Sequence, residues 1–217
     1  MKRICKMKRK GLLLLLSLFT LTLASQKDPE AVRVLNEFSR KAASAPSVKI
    51  DFSVITTDAQ EGTAATMDGT AVISGDRYRI TLPDNEVWAD GTAVWSYLPD
   101  VNEVTVTEPD PDDDSFMTRP SLLFTMYQEG YKIRLVEETS GEWTIDLYPE
   151  DINEGLMRIR LKIGKARYDL ESAEYKTKDG ITVTLTAGKY DLSFRPEAGY
   201  FTFEPARYKG VDVIDMR

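Results

Sequence analysis

The sequence predicts a mostly β, α+β fold: a long antiparallel meander with one helix before it and another inserted midway. Three observations predict it. One stretch near the start repeats its apolar residues at helical spacing. The period then changes to two and stays there for most of the chain. Short turns rich in Gly, Asp, Asn and Pro separate the alternating runs.

The chain opens with a leader. Lys2, Arg3, Lys6, Lys8, Arg9 and Lys10 precede a nearly unbroken apolar run from Leu12 to Leu23, and small residues follow at Ala24 and Ser25. That order reads as a secretory signal peptide over 1–25. The run is shorter than the roughly 20 residues that a membrane-spanning helix needs. The single cysteine, Cys5, lies before the run, where it cannot serve as a lipoprotein acylation site after it. Residues 26–217 are then one exported domain, expected in the periplasm without an anchor.

The first helix begins at Asp28, Pro29 and Glu30, an N-cap acid, a proline at the first helical position and an acid in the first turn. Ala31, Val34, Leu35, Phe38 and Ala42 share one face, and Ala45 and Pro46 end it. Val48, Ile50, Phe52 and Val54 then alternate with polar residues as a half-buried strand does. Further strand patterns fall near 67–74, 77–82, 86–89, 92–98 and 101–107.

Residues 108–115 are acidic and carry two prolines, so they read as a loop. Pro120, Leu122, Leu123, Met126 and Tyr127 predict a short helix over about 120–128, ended by Gly130. Strands resume near 131–137, 142–148, 156–164, 167–176 and 180–188. A last one is expected at Tyr200 to Glu204, before a tail with Val211 and Val213. A sheet this long must close into a barrel or cover its apolar face, and the two helices are the available cover.

Composition removes several chemistries. The net charge is −7, and losing the six cations of the leader takes it to −13. That disfavours nucleic acid as a partner. Histidine is absent, and the domain after the leader has no cysteine. Ser-His and Cys-His nucleophile pairs, thiolate chemistry and the commonest zinc ligand are thereby excluded. Asp110, Asp112 and Asp114 have calcium-loop spacing, but Ser115 and Ser121 stand where the motif needs Gly and Glu. No metal site, cofactor or catalytic constellation is expected.

The strongest local signature runs from Asp90 through Gly91, Trp95 and Tyr97 to Pro99. Two aromatics on one strand face either line a pocket or fill a core, and alternation alone favours core.

With the stretch Val101 to Val104, the pairs Phe116-Met117 and Leu122-Leu123, and the closing Phe201, Phe203 and Gly210 to Val213, this segment resembles the periplasmic lipoprotein carriers of the LolA type. The order of elements agrees over nearly the whole exported domain. One departure stands out. Where proteobacterial members have a turn with a lid-latching arginine, this chain has Ser74, Gly75 and Asp76, and Arg77 and Arg79 fall just after it.

The resemblance implies an incomplete antiparallel β-barrel of about eleven strands, with short helices as a lid over the concave apolar face. It implies a monomeric, non-enzymatic carrier that takes acylated lipoproteins from an inner-membrane lipoprotein-releasing complex to an outer-membrane acceptor. A triacylated cargo exposes roughly 45 methylenes, or some 35 kcal/mol at about 0.8 each, which an apolar cavity must offset. Acyl-chain-binding candidates are Val48, Ile50, Phe52, Val54, Trp95, Tyr97, Ile145, Leu147, Ile159 and Leu161. Lid candidates are Val34, Phe38, Leu122, Leu123 and Met126. The alternative role is an envelope sensor of similar fold that binds a lipoprotein, glycolipid or protein signal without transport.

Overall fold

The computed structural model describes residues 27–110, 116, 118–151, 153 and 155–217. The leader, Asp112, Asp114 and Met117 lie outside the described residues.

Helix α1 (Pro29–Ser44) forms as its start signal predicts. Asp28 caps it, its side chain accepting from the Glu30 amide at 3.0 Å and the Ala31 amide at 3.3 Å. Ala45 leaves the helix in an extended conformation, as the residue before a proline should. The apolar stripe Ala31, Val34, Leu35, Phe38 and Ala42 is buried. Arg33–Glu30 and Arg40–Glu37 pairs occupy the exposed side.

Among the described residues twelve strands follow: β1 (Val48–Asp58), β2 (Thr63–Ser74), β3 (Arg77–Thr81), β4 (Glu86–Ala89), β5 (Val94–Leu98), β6 (Glu103–Thr107), β7 (Tyr131–Glu138), β8 (Glu142–Pro149), β9 (Leu156–Gly164), β10 (Leu170–Thr177), β11 (Ile181–Asp191) and β12 (Asp212–Asp215). They form one sheet in the order β12-β6-β5-β4-β3-β2-β1-β11-β10-β9-β8-β7. β7 and β12 are its outer edges, so the barrel is not closed. Pairing is antiparallel except between β12 and β6.

Apolar residues of β4 and β7, eight places apart in the sheet, belong to one continuous core beneath α1. In a flat sheet those strands would stand about 38 Å apart, at about 4.8 Å per strand. A long twisted sheet brings them together by curling, and register shifts in β1, β7 and β10 mark where the pairing yields.

Three details differ from the sequence expectation. The segment 120–128 is two 3₁₀ turns, Pro120–Phe124 and Met126–Gln128, interrupted at Thr125. Its nine residues are too few to sustain an isolated α-helix. The tail makes a twelfth strand, parallel to β6. Tyr200 to Glu204 is not a strand. Phe201 and Phe203 are buried there by packing on the outer sheet face, and this alternation imitates a strand without a ladder.

Candidate functional site

The concave side is filled unevenly. Over β8 and β9, the expected lining residues Ile145, Leu147, Ile159 and Leu161 are fully buried in solid core with α1. Val34 and Phe38, expected in a lid, are fully buried there too, and the Phe38 ring lies 5.2 Å from Phe124. Val48 at the start of β1 also belongs to this core.

Over β1 to β5 a cavity of about 600 Å³ remains. Ile50, Phe52 and Val54 of β1 line it, with Met67, Ala71 and Ile73 from β2, Tyr78 and Ile80 from β3, Val87 and Ala89 from β4, and Val94 from β5. Leu185 of β11 and Phe116, Pro120 and Leu123 of the roof complete the apolar wall. Gly69 has a specific part in this wall. A Cβ there would stand 2.7 Å from Phe52 Cζ and 2.7 Å from Leu82 Cδ2, so only glycine lets both side chains lie across the strand. At roughly 30 Å³ per methylene, close to the share of one water in the liquid, the cavity holds about 20 methylenes.

Leu123 is the part of the expected lid that lines the cavity, whereas Leu122 and Met126 are half-buried against the core. The far end of the roof is tied down. The Tyr127 hydroxyl donates to Asn36 Oδ1 of α1 at 2.9 Å, and Lys27 Nζ donates to the Gln128 carbonyl at 2.6 Å.

Trp95 and Tyr97 require a correction, because they face the opposite side of the sheet. Their neighbour Val94 lines the cavity, so strand alternation turns Trp95 and Tyr97 outward. There they join Trp88, Val104, Phe203, Tyr208 and Val211 in a second core. The Tyr97 and Phe203 rings each lie 4.7 Å from Tyr208. The Tyr97 hydroxyl donates to Asn102 Oδ1 at 3.1 Å. Asn102, in the left-handed region with φ 52°, donates from Nδ2 to the Gly210 carbonyl at 2.8 Å.

The motif thus fastens the C-terminal segment to the outer face. Its Asp90 shapes the turn into β5, accepting from the Thr92 amide at 2.8 Å and the Ala93 amide at 3.0 Å. Burial works against the Asp90 charge, but the Thr92 hydroxyl and these amides outweigh it and hold the carboxyl below the usual aspartate range. Arg77 and Arg79 also face outward, stacked over Phe201 and Trp88, so neither points toward the roof.

Tyr97→Phe checks this assignment. The loss of one hydrogen bond is expected to lower stability by about 1 kcal/mol and leave binding of a hydrophobic dye in the cavity unchanged. A large fall in dye affinity with stability intact would put Tyr97 back in the pocket.

The cavity-lining positions that sequence reading passed over had a usable signal. In β3, Arg77 and Arg79 alternate with Tyr78 and Ile80, and the charged pair marks the outer face. Through the ladder this orients Ala71, Ala89 and Val94 inward as well.

A wide open sheet curled over an apolar cavity, roofed by a turn segment, with a helix packed on the core beside it, defines a class of incomplete β-barrels with an internal apolar pocket. The chain belongs to a particular family of that class, the outer membrane lipoprotein carrier protein LolA family, which matches over residues 21–176. No curated protein matches it in sequence.

Among solved structures it is similar to an uncharacterized conserved protein from Thermus thermophilus, with TM-score 0.58 and 11% identity over 86% of this chain and 99% of that one. Looser likenesses include a putative outer membrane lipoprotein-sorting protein domain from Vibrio parahaemolyticus, with TM-score 0.45 and 13% identity over 80% and 96% of the two chains. A LolA superfamily protein from Nitrosomonas europaea gives TM-score 0.43 and 12% identity over 80% and 97%. At these identities the likeness concerns the fold. Among the described residues, no helix is long and apolar enough to cross a membrane.

Proposed function

We propose that this protein is a periplasmic carrier, not an enzyme, that shelters lipoprotein acyl chains in its cavity between the inner and outer membranes. The carrying observation is the apolar cavity of about 600 Å³ between β1–β5 and the roof. The family and the exported leader support the same reading.

Holding a chain against water needs apolar contact and no covalent chemistry. About 20 sheltered methylenes at about 0.8 kcal/mol each offset some 16 kcal/mol of exposure. That is enough to keep one chain out of water and too little for three, so a triacylated cargo requires the roof to lift.

The test is to purify the protein from periplasm and analyse what accompanies it by mass spectrometry. Acylated peptides or lipoproteins are expected, and a synthetic lipopeptide should displace a hydrophobic dye from the purified protein. Co-purification of a protease or membrane regulator with no lipid, and no displacement, would replace the carrier with the sensor reading.

A further inference from the structure

Strand register resolves the cavity wall into successive rows. Val54 pairs with Met67, Phe52 with Gly69, and Ile50 with Ala71, and the next inward pair is Val48 with Ile73. Ala71 pairs on with Ile80 and Ile80 with Val87, while Ile73 pairs with Tyr78 and Tyr78 with Ala89. Burial changes along these rows. Ile73, Tyr78 and Ala89 are 3%, 7% and 1% exposed and belong to the core packed with α1. Phe52, Met67 and Leu82 are only half-buried. The β2–β3 ladder ends at Thr70 and Thr81, and from there to Thr63 β2 is paired with β1 alone. The cavity therefore opens at its Met67 end. Just inside, Phe52 and Leu82 lie across Gly69, whose missing side chain leaves the path above them clear.

We infer that the cavity is a ruler for one alkyl chain. The chain enters over Met67 and Leu82, runs along β2, and stops with its methyl end against Tyr78 and Ala89. The distance between these points sets an upper length of about 16–20 carbons. This rests on the acyl-chain reading above and adds the direction of entry, the number of chains and their length.

Two measures of capacity agree. From Met67 to Ile73, β2 advances about 20 Å, at roughly 3.4 Å per residue. An extended alkyl chain advances about 1.25 Å per carbon, given bonds of about 1.52 Å and angles of about 111°, so about 16 carbons span that length. The cavity volume, about 600 Å³, holds about 20 methylenes at roughly 30 Å³ each. Spread over about 20 Å, that volume has a cross-section of about 30 Å², and one chain needs about 24 Å² on the same figures, so a second does not fit beside it.

The direction follows from burial. A methyl end gains most in the row that is already closed to water. A polar head must keep its hydration, which the half-buried end allows. Beyond the Tyr78 row the lining changes to Asp76, Gly91 and Glu108, so a longer chain would find no further apolar wall.

The experiment is dye competition with lysophosphatidylcholines that carry one saturated chain of 10 to 22 carbons, each kept below its aggregation concentration. Their heads have no net charge, so length alone varies. Affinity should rise by up to about fourfold per added carbon, and stop rising at about 16–20 carbons. Ala71→Phe puts a ring about 14 Å in from Met67 and should move the break to about 10–12 carbons. Ile80→Trp fills the same row from β3 and should do the same, so the test survives if one variant fails to fold. Met67→Phe stands at the entrance and should change all affinities alike, with the break unmoved. Native mass spectrometry should count one chain per protein.

Affinity that climbs without a break through 22 carbons, or a break that neither inner variant moves, would overturn the ruler. A break shortened by Met67→Phe and not by the inner variants would overturn the direction of entry, and two bound chains would overturn the capacity. In each case the cavity would still be an acyl site. If no chain length displaces the dye, the acyl-chain reading itself falls, and this inference falls with it.

Discussion

Asp146→Ala is expected to destabilise the fold by about 2–3 kcal/mol, the loss of charge-assisted hydrogen bonds whose arginine partners, 31% and 20% exposed, can still reach water. Asp146 lies on β8 and is 1% exposed, on the side of the sheet away from the main core. Arg160 grips it with two hydrogen bonds, Nε at 2.7 Å and a terminal nitrogen at 2.8 Å. Arg158 stands 3.7 Å away, and the Tyr148 hydroxyl donates to it at 2.9 Å. Arg158 is itself paired to Glu174 of β10, so three adjacent strands share one network.

Removing the carboxylate takes both of these bonds from Arg160. Asp146→Asn keeps an acceptor and should cost less, which separates charge from shape. Urea unfolding measures both, and a loss under about 1 kcal/mol for the alanine variant would show that the network contributes little.

The same site has a pH signature. Burial raises the Asp146 pKa, but the Arg160 and Tyr148 hydrogen bonds, with the field of both arginines, outweigh it and hold the carboxyl below the usual aspartate range. A folded pKa below the unfolded one stabilises above the unfolded value, about 3.9, and that stability is lost as pH falls through the folded pKa. The gap between the native protein and Asp146→Asn should therefore be constant above about pH 5 and shrink below about pH 4.

Strand pattern was legible because period-two alternation is written into every ladder, and the expected runs fall within or close to the observed strands from β1 to β11. Which face looks inward was harder at β5. Both faces there are apolar or aromatic, because Val94 meets the cavity while Trp95 and Tyr97 meet the C-terminal segment. Alternation cannot name the inner face when each side has its own cover.

The same cover disguised Phe201 and Phe203 as a strand. The difference between a cavity wall and a solid core is also absent from local sequence. Ile50 and Ile145 look alike in their strands, yet one lines the cavity and the other lies in packed core. What separates them is where α1 and Phe38 sit, a long-range fact that no window of ten residues contains.

Leu123→Asp is expected to weaken retention of a bound lipopeptide by at least about tenfold while costing less in folding stability. Leu123 is buried and lines the cavity from the roof, so its side chain faces whatever fills the space beneath. Burying a leucine side chain contributes about 1.5–3 kcal/mol, and each 1.4 kcal/mol is a factor of ten in affinity. The carboxylate of the variant would favour water over an acyl chain and so favour the lifted roof. Folding should suffer less, because the ladders of β1–β5 do not pass through Leu123.

The anchors give the motion a direction. Tyr127 and Gln128 are held to α1 and to Lys27, so the response to cargo is expected between Pro120 and Leu123. Hydrogen exchange across 118–128 should show low protection near Leu123 that rises when a lipopeptide binds, with Tyr127 protected throughout. Protection that is high across the whole segment and unchanged by lipopeptide would make Leu123 part of a fixed core.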